Sequence, residues 1–195
     1  MKAKQIILSF LALFTCITAS AYDACIDGIY YNFSGTTASV TYKTGSDKGY
    51  SGSVVIPSSV TYNETTYNVI EIEAGAFPTC DDLTSITIPN SVTLITGGAF
   101  CYCDGLTSIV VENGNPKYDS RNGCNAIIET ETNTLITGCN GSVIPDNVTK
   151  IGNSAFYGIR NLIVTIPNSV TEIDNFAFYQ CSGLTSVTIP ENVTK

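Results

Sequence analysis

The main catalytic chemistry left to this chain is that of a carboxylate pair, because histidine is absent. Its absence excludes Ser-His-Asp and Cys-His nucleophilic centres and every histidine-containing metal site. The carboxylate pairs Asp81 and Asp82, Glu71 and Glu73, and Glu129 and Glu131 have the composition needed to supply an acid and a base for glycoside hydrolysis. Each pair falls in an expected turn or on an expected solvated edge, where carboxylates are ordinary surface charge. No glycine-rich phosphate loop is present. Cys101-Tyr102-Cys103 lacks both the two-residue spacer and the second cysteine pair of a zinc site. The chain therefore reads as a non-enzyme with no cofactor, no metal and no catalytic residue.

The cysteines fall into sets. Cys80, Cys103 and Cys181 each lie three residues after a recurring phenylalanine, which predicts a structural column facing the core, packing as small hydrophobes. Cys124 and Cys139 flank a segment that can turn near residues 130–133. A hairpin that pairs Ile128 with Leu135 also pairs Cys124 with Cys139 and sets up a disulfide, with two reduced thiols as the alternative. Cys25 and Cys101 have no evident partner.

The elements that position these residues are set by composition and repetition. Charged residues are 13% of the chain and hydrophobic ones 44%, with abundant Ser, Thr, Asn and Gly, a balance that suits short strands and turns better than helices. Residues 1–21 have a basic start at Lys2 and Lys4, an apolar run from Ile6 to Ile17 and a small-residue cleavage site at Ala19-Ser20-Ala21, which predicts an export signal. The apolar run is short for a membrane span, and no second long hydrophobic stretch follows, so no integral membrane segment is expected after cleavage. Cleavage would remove two lysines and no acid, taking the formal net charge from −8 to −10. Nucleic acid and anionic membrane are then unsuitable partners.

The strongest signal is self-similarity. Ile-Pro-x-x-Val recurs at Ile56, Ile88, Ile144, Ile166 and Ile189, and Ala-Phe recurs at Ala76-Phe77, Ala99-Phe100, Ala155-Phe156 and Ala177-Phe178. The Ile spacings of 32, 56, 22 and 23 resolve into a unit of about 23 residues. The first unit carries an insertion near residues 62–68, and the gap of 56 holds an extra unit, with Val111 in the place of the missing Ile. This gives six strand positions over residues 52–195, the last unit incomplete, with a long hairpin-containing unit at about 111–143. Leu83-Thr84-Ser85-Ile86-Thr87-Ile88 reads as a half-buried strand that the following proline stops. Such a unit cannot bury its own apolar residues, which predicts a β-rich solenoid of short parallel strands joined by single helical or irregular turns. Residues 22–51 are expected to cap its first end with a β-hairpin, Gly28 to Phe33 and Ala38 to Tyr42 around Ser34-Gly35. An uncapped last unit would favour end-to-end self-association.

Gly105-Leu106-Thr107-Ser108-Ile109, Ile166-Pro167-Asn168-Ser169-Val170-Thr171-Glu172-Ile173 and Ala177-Phe178-Tyr179-Gln180-Cys181 resemble the BspA-like leucine-rich repeats of bacterial cell-surface proteins. The long unit, with Asn115-Pro116-Lys117-Tyr118 and Cys124-Asn125-Ala126-Ile127-Ile128, resembles an insertion type of that family. The resemblance implies a leucine-rich-repeat-type curved array, secreted or held at the cell surface. It also implies an adhesin-like interaction module that engages host extracellular proteins or other cells, with a protein or a cell-surface glycan as ligand. The other reading is a structural spacer or truncated repeat fragment with no ligand of its own. The ligand-binding candidates are the outward hydroxyl rows Ser85, Thr87, Ser108, Thr165, Ser186 and Thr188, and the tyrosines Tyr157 and Tyr179, which share a repeat position. Threonine also simply suits a solvated strand.

Overall fold

A computed structural model describes residues 22–42 and 49–195, so the expected export signal lies outside the described residues. The chain opens with a three-stranded antiparallel meander, β1 (Ala24–Ile26), β2 (Ile29–Ser34) and β3 (Thr37–Thr41). Asp27 and Gly28 both have positive φ, as the two central residues of a tight Asp-Gly hairpin turn must. The loop between β2 and β3 is Gly35-Thr36, because Ser34 already pairs with Thr37. Strand β1 was not foreseen, being only three residues long.

Next come β4 (Gly52–Val55), β5 (Ser59–Tyr62) and β6 (Thr65–Ile72). The insertion expected in the first unit is the antiparallel arm β5–β6, turned at Asn63-Glu64. Parallel pairing of β3 with β6 joins the meander to the repeats. The later elements are β7 (Leu83–Ile88), β8 (Leu94–Ile95), β9 (Ser108–Val111), β10 (Tyr118–Asp119), a 3-10 turn at Arg121–Gly123, β11 (Ala126–Glu129), β12 (Thr134–Gly138), β13 (Lys150–Ile151) and β14 (Glu172–Ile173).

Successive repeats pair in parallel along two lines. One is the ladder β4-β7-β9; the other is built from the second short extended piece of each unit, with β8 on β6 and then β12-β13-β14. Of the six strand positions read from the sequence, only the first three join the first ladder. Past β9 the hairpin β11–β12 intervenes: β11 packs on β9, and the returning chain bonds Val143 N to Cys124 O at 3.0 Å. Residues 162–166 and 184–189 lie beyond this interruption, and neither forms a strand.

The hairpin is a wall between two cores. Ile127 and Cys139 belong to the core of the first repeats with Phe77, Phe100 and Ile109, whereas Ala126, Ile128 and Leu135 belong to the second core with Phe156, Ile151 and Leu162. Successive side chains of a strand point to opposite faces, so an apolar run such as Ala126-Ile127-Ile128 is what a two-sided wall requires. Asn115 anchors the wall's entry. Its Nδ2 donates to the Pro89 and Val92 carbonyls (3.0 and 2.8 Å) and its Oδ1 accepts from the Lys117 and Tyr118 amides (2.9 and 2.8 Å).

Within each core the repeat phenylalanines stack, Phe77 on Phe100 at 4.9 Å and Phe156 on Phe178 at 5.4 Å. Cys103 lies with its Sγ 3.1 Å from the Phe77 carbonyl of the preceding unit, and Cys181 lies 3.0 Å from that of Phe156. Where neighbouring units approach most closely the residue is glycine. A Cβ on Gly105 would overlap the Asp81 carbonyl, and one on Gly183 would lie 2.5 Å from the Asn161 amide nitrogen. Gly105→Ala is therefore expected to destabilise the fold by about 1–3 kcal/mol through overpacking against backbone. Ser182→Ala, at the exposed position beside Gly183, should change stability little. Urea unfolding of both variants checks this, and equal midpoints would refute the close-approach role.

Candidate functional site

The strand face is only partly the hydroxyl surface expected. Ser85 pairs in register with Ser108 and donates to Ser53 at 2.7 Å, so Ser53, Ser85 and Ser108 form one row. The next outward row is Val55, Thr87 and Val110, in which Thr87 sits between two exposed valines. Strict alternation along β7 is broken because Thr84 is an extra residue opposite Gly52 and Ser53, and this bulge lets Leu83 and Ile86 both face the core. Thr165, Ser186 and Thr188 are exposed, but they lie in the segments beyond the ladder and do not continue either row. Exposed Val143 and Ile163 border a groove of about 630 Å³ there.

The turn side of the repeats does bring predicted residues together. Tyr157 and Tyr179 lie with ring centroids 5.2 Å apart. Sequence reasoning missed the two aromatic residues that complete the cluster. Tyr102 meets Tyr157 edge-on at 5.2 Å, with the two hydroxyls 3.2 Å apart, and Phe176 meets Tyr179 edge-on at 5.5 Å. The Tyr102 hydroxyl also bonds Gln180 Oε1. Hydrogen bonding with Tyr102 pushes the Tyr157 hydroxyl pKa up.

Repeat geometry explains the convergence. Each turn has two left-handed positions, one just before the Ala-Phe pair (Gly75, Gly98, Ser154 and Phe176) and one two residues after its Phe (Thr79, Tyr102, Gly158 and Gln180). Backbone bonds from Tyr102 N to Tyr157 O and from Gly158 N to Tyr179 O hold three turns in register across the long unit. Gly158 leaves room for the Tyr102 ring, which a Cβ there would strike. The available signal was the residue type at these two repeat positions, where an aromatic stands in place of glycine.

Phe176 is the most informative of the four. A bulky residue at φ 59° is strained by about 1–2 kcal/mol relative to glycine. Its side chain is 59% exposed, so burial does not offset the strain.

Glu73 accepts hydrogen bonds from Asn32 and Ser39 and so fastens the meander to the repeats. Burial, then the neighbouring Glu73, push the Glu71 carboxyl up. Among the described residues no group of three or more His, Cys, Asp or Glu could hold a metal, and no helix is long and apolar enough to cross a membrane.

In this structure Cys124 and Cys139 are free thiols, the alternative to the disulfide. Ile128 pairs with Leu135 as read from the sequence, but the register shifts between Ile127 and Ile128, so Ala126 pairs with Gly138. The one-residue shift turns Cys139 toward Asn125, whose carbonyl lies 3.2 Å from its sulfur, and places the two thiols in different cores. Cys80, Cys103 and Cys181 are buried and free.

Two parallel ladders of short strands, repeated phenylalanine stacks and, among the described residues, an almost complete lack of helix define a β-rich repeat protein. The BspA type leucine-rich repeat region matches residues 53–136 and 137–195, in six copies, and the chain belongs to this family. Its members are commonly surface or secreted proteins and act as repeat-based interaction modules. The chain is similar to a leucine-rich repeat protein from Eubacterium ventriosum (26% identity, TM-score 0.58, 73% of this chain and 37% of that one). It is also similar to one from Bacteroides ovatus (29% identity, TM-score 0.51, 88% of this chain and 42% of that one). It thus spans about two-fifths of the length of either. A third similar structure is a leucine rich cell surface protein from Faecalibacterium prausnitzii (22% identity, TM-score 0.42, 88% of this chain and 55% of that one). No curated protein matches.

Burial pushes the Cys101 and Cys139 thiols up to about 11 and raises Cys124 and Cys181. Only the thiolate attacks disulfide reagents. In the native chain at pH 8, a chromogenic disulfide reagent is expected to titrate exposed Cys25 quickly, and buried Cys124, Cys139 and Cys181, whose thiols are pushed up, only after denaturant is added. A mass two hydrogens short of the fully reduced chain would instead reveal a bridge.

Proposed function

We propose that this chain is an exported solenoid that acts as an adhesin-like interaction module, binding a ligand of host matrix or of other cells through its turn-side aromatic cluster. Residues 1–21 are its export signal, and it works in the secreted or surface-held state. The observation that carries this reading is Phe176, an exposed aromatic at a left-handed position, set against Tyr179 and in line with Tyr157 and Tyr102. Exposed aromatic residues grouped on a rigid scaffold are the usual anchors of recognition. The family's role as a repeat-based interaction module supports the same reading.

The test is capture of the chain, expressed from Met1 and recovered after export, on arrays of extracellular matrix proteins and glycans and on whole cells. Tyr157→Ser with Tyr179→Ser should reduce capture at least tenfold while the far-UV spectrum stays unchanged. Thr87→Ala with Ser108→Ala, on the strand face, should leave capture intact. Loss in the strand-face variant alone would move the site to that face. Capture of nothing by the folded chain would favour a spacer.

A further inference from the structure

We infer that the aromatic cluster binds neutral sugar rings. This rests on reading the cluster as the ligand site and adds the chemical class of the ligand. Three observations carry it.

The first is charge. The side chains that form the surface are Tyr102, Tyr157, Phe176, Tyr179 and Gln180, none of them charged, on a chain whose formal net charge is −8. A neutral ligand meets no unpaired charge there, whereas an anionic one is repelled by the chain's overall field.

The second is size. Phe176 and Tyr179 are 59% and 47% exposed and the other two rings are half-buried, so the cluster offers on the order of 300 Å² if an aromatic side chain presents about 150–250 Å² in all. That is well under the roughly 800 Å² each partner contributes to a standard protein interface. It matches a few sugar rings.

The third is the arrangement of apolar and polar atoms. The C–H face of a pyranose packs on an aromatic ring, while its hydroxyls need partners at the ring's edge. Here ring centroids follow one another at 5.2, 5.2 and 5.5 Å, and the tyrosine hydroxyls and the Gln180 amide stand beside them. The Tyr102 hydroxyl, held by Tyr157 and Gln180, is pre-positioned, so binding need not order it. The left-handed backbone at Phe176 turns its ring outward beside Tyr179 at a position that holds glycine or serine in the other turns.

The experiment uses the chain expressed from Met1 and recovered after export. Binding to laminarin, mannan and a galactan is measured by affinity electrophoresis and calorimetry, with heparin as the anionic comparison and a matrix-protein array alongside. Saturable binding to at least one neutral polysaccharide is expected, with heparin at least tenfold weaker. Tyr179→Ala should weaken binding at least tenfold. Phe176→Gly is the decisive variant: it relieves the left-handed strain, so its melting temperature should hold or rise while its affinity falls at least tenfold. Neutral-sugar binding that both variants retain would overturn the inference. Capture by matrix proteins only, lost in Phe176→Gly, would overturn the sugar inference and leave the interaction reading standing. Binding to neither sugars nor proteins by the folded chain would overturn both.

Discussion

No single repeat of this chain can close its own core; each is completed by the unit laid against it. The contact that enforces this is the in-register stacking of Phe77 on Phe100 and of Phe156 on Phe178, with a cysteine thiol beside the preceding phenylalanine's carbonyl. Ala76, Ala99, Ala155 and Ala177 are all buried beside these rings, which is why the Ala-Phe pair recurs without substitution. Stability in such an array is a sum over neighbours, and the surface is repeated at the same interval as the core. The aromatic cluster follows from that fact: side chains 55 residues apart, Tyr102 and Tyr157, meet because their turns occupy successive places in one stack.

Much of this was legible in the sequence because it depends on periodicity. The unit length, the parallel course of the first strands, the buried cysteine column and the adjacency of Tyr157 to Tyr179 all follow from aligning Ile-Pro with Ala-Phe. What was not legible depends on single residues out of step with the period. Thr84 adds one residue to β7 and so reassigns which side chains of that strand face outward. A one-residue shift between Ile127 and Ile128 takes Cys124 and Cys139 out of direct opposition, and both are buried free thiols in this structure. The strand positions at residues 162–166 and 184–189 have the right pattern, but an apolar alternation does not by itself supply a ladder partner.

The hairpin β11–β12 is what makes the long unit compatible with the array. Its apolar run has no solvent face because both faces are in use, Ile127 toward the first core and Ile128 toward the second. On the strand side it interrupts the ladder. On the turn side Gly138 takes the place of an Ala-Phe turn, its amide bonding the Ala155 carbonyl as Phe77 bonds Ala99 and Phe156 bonds Ala177. The turn-side aromatic cluster therefore crosses the insertion without a gap.

The two left-handed positions in each turn hold Gly, Gly, Ser and Phe at the first and Thr, Tyr, Gly and Gln at the second, while the Ala-Phe pair between them is invariant. Where the side chain projects into solvent, as at Thr79 and Phe176, exchanging it alters the local backbone energy by about 1 kcal/mol, whereas at Gly158 a Cβ would strike the Tyr102 ring of another unit. The array thus carries a built-in register of variable sites on a constant frame. Residue type at the exposed turn positions can therefore change one turn at a time while the Ala-Phe frame stays the same.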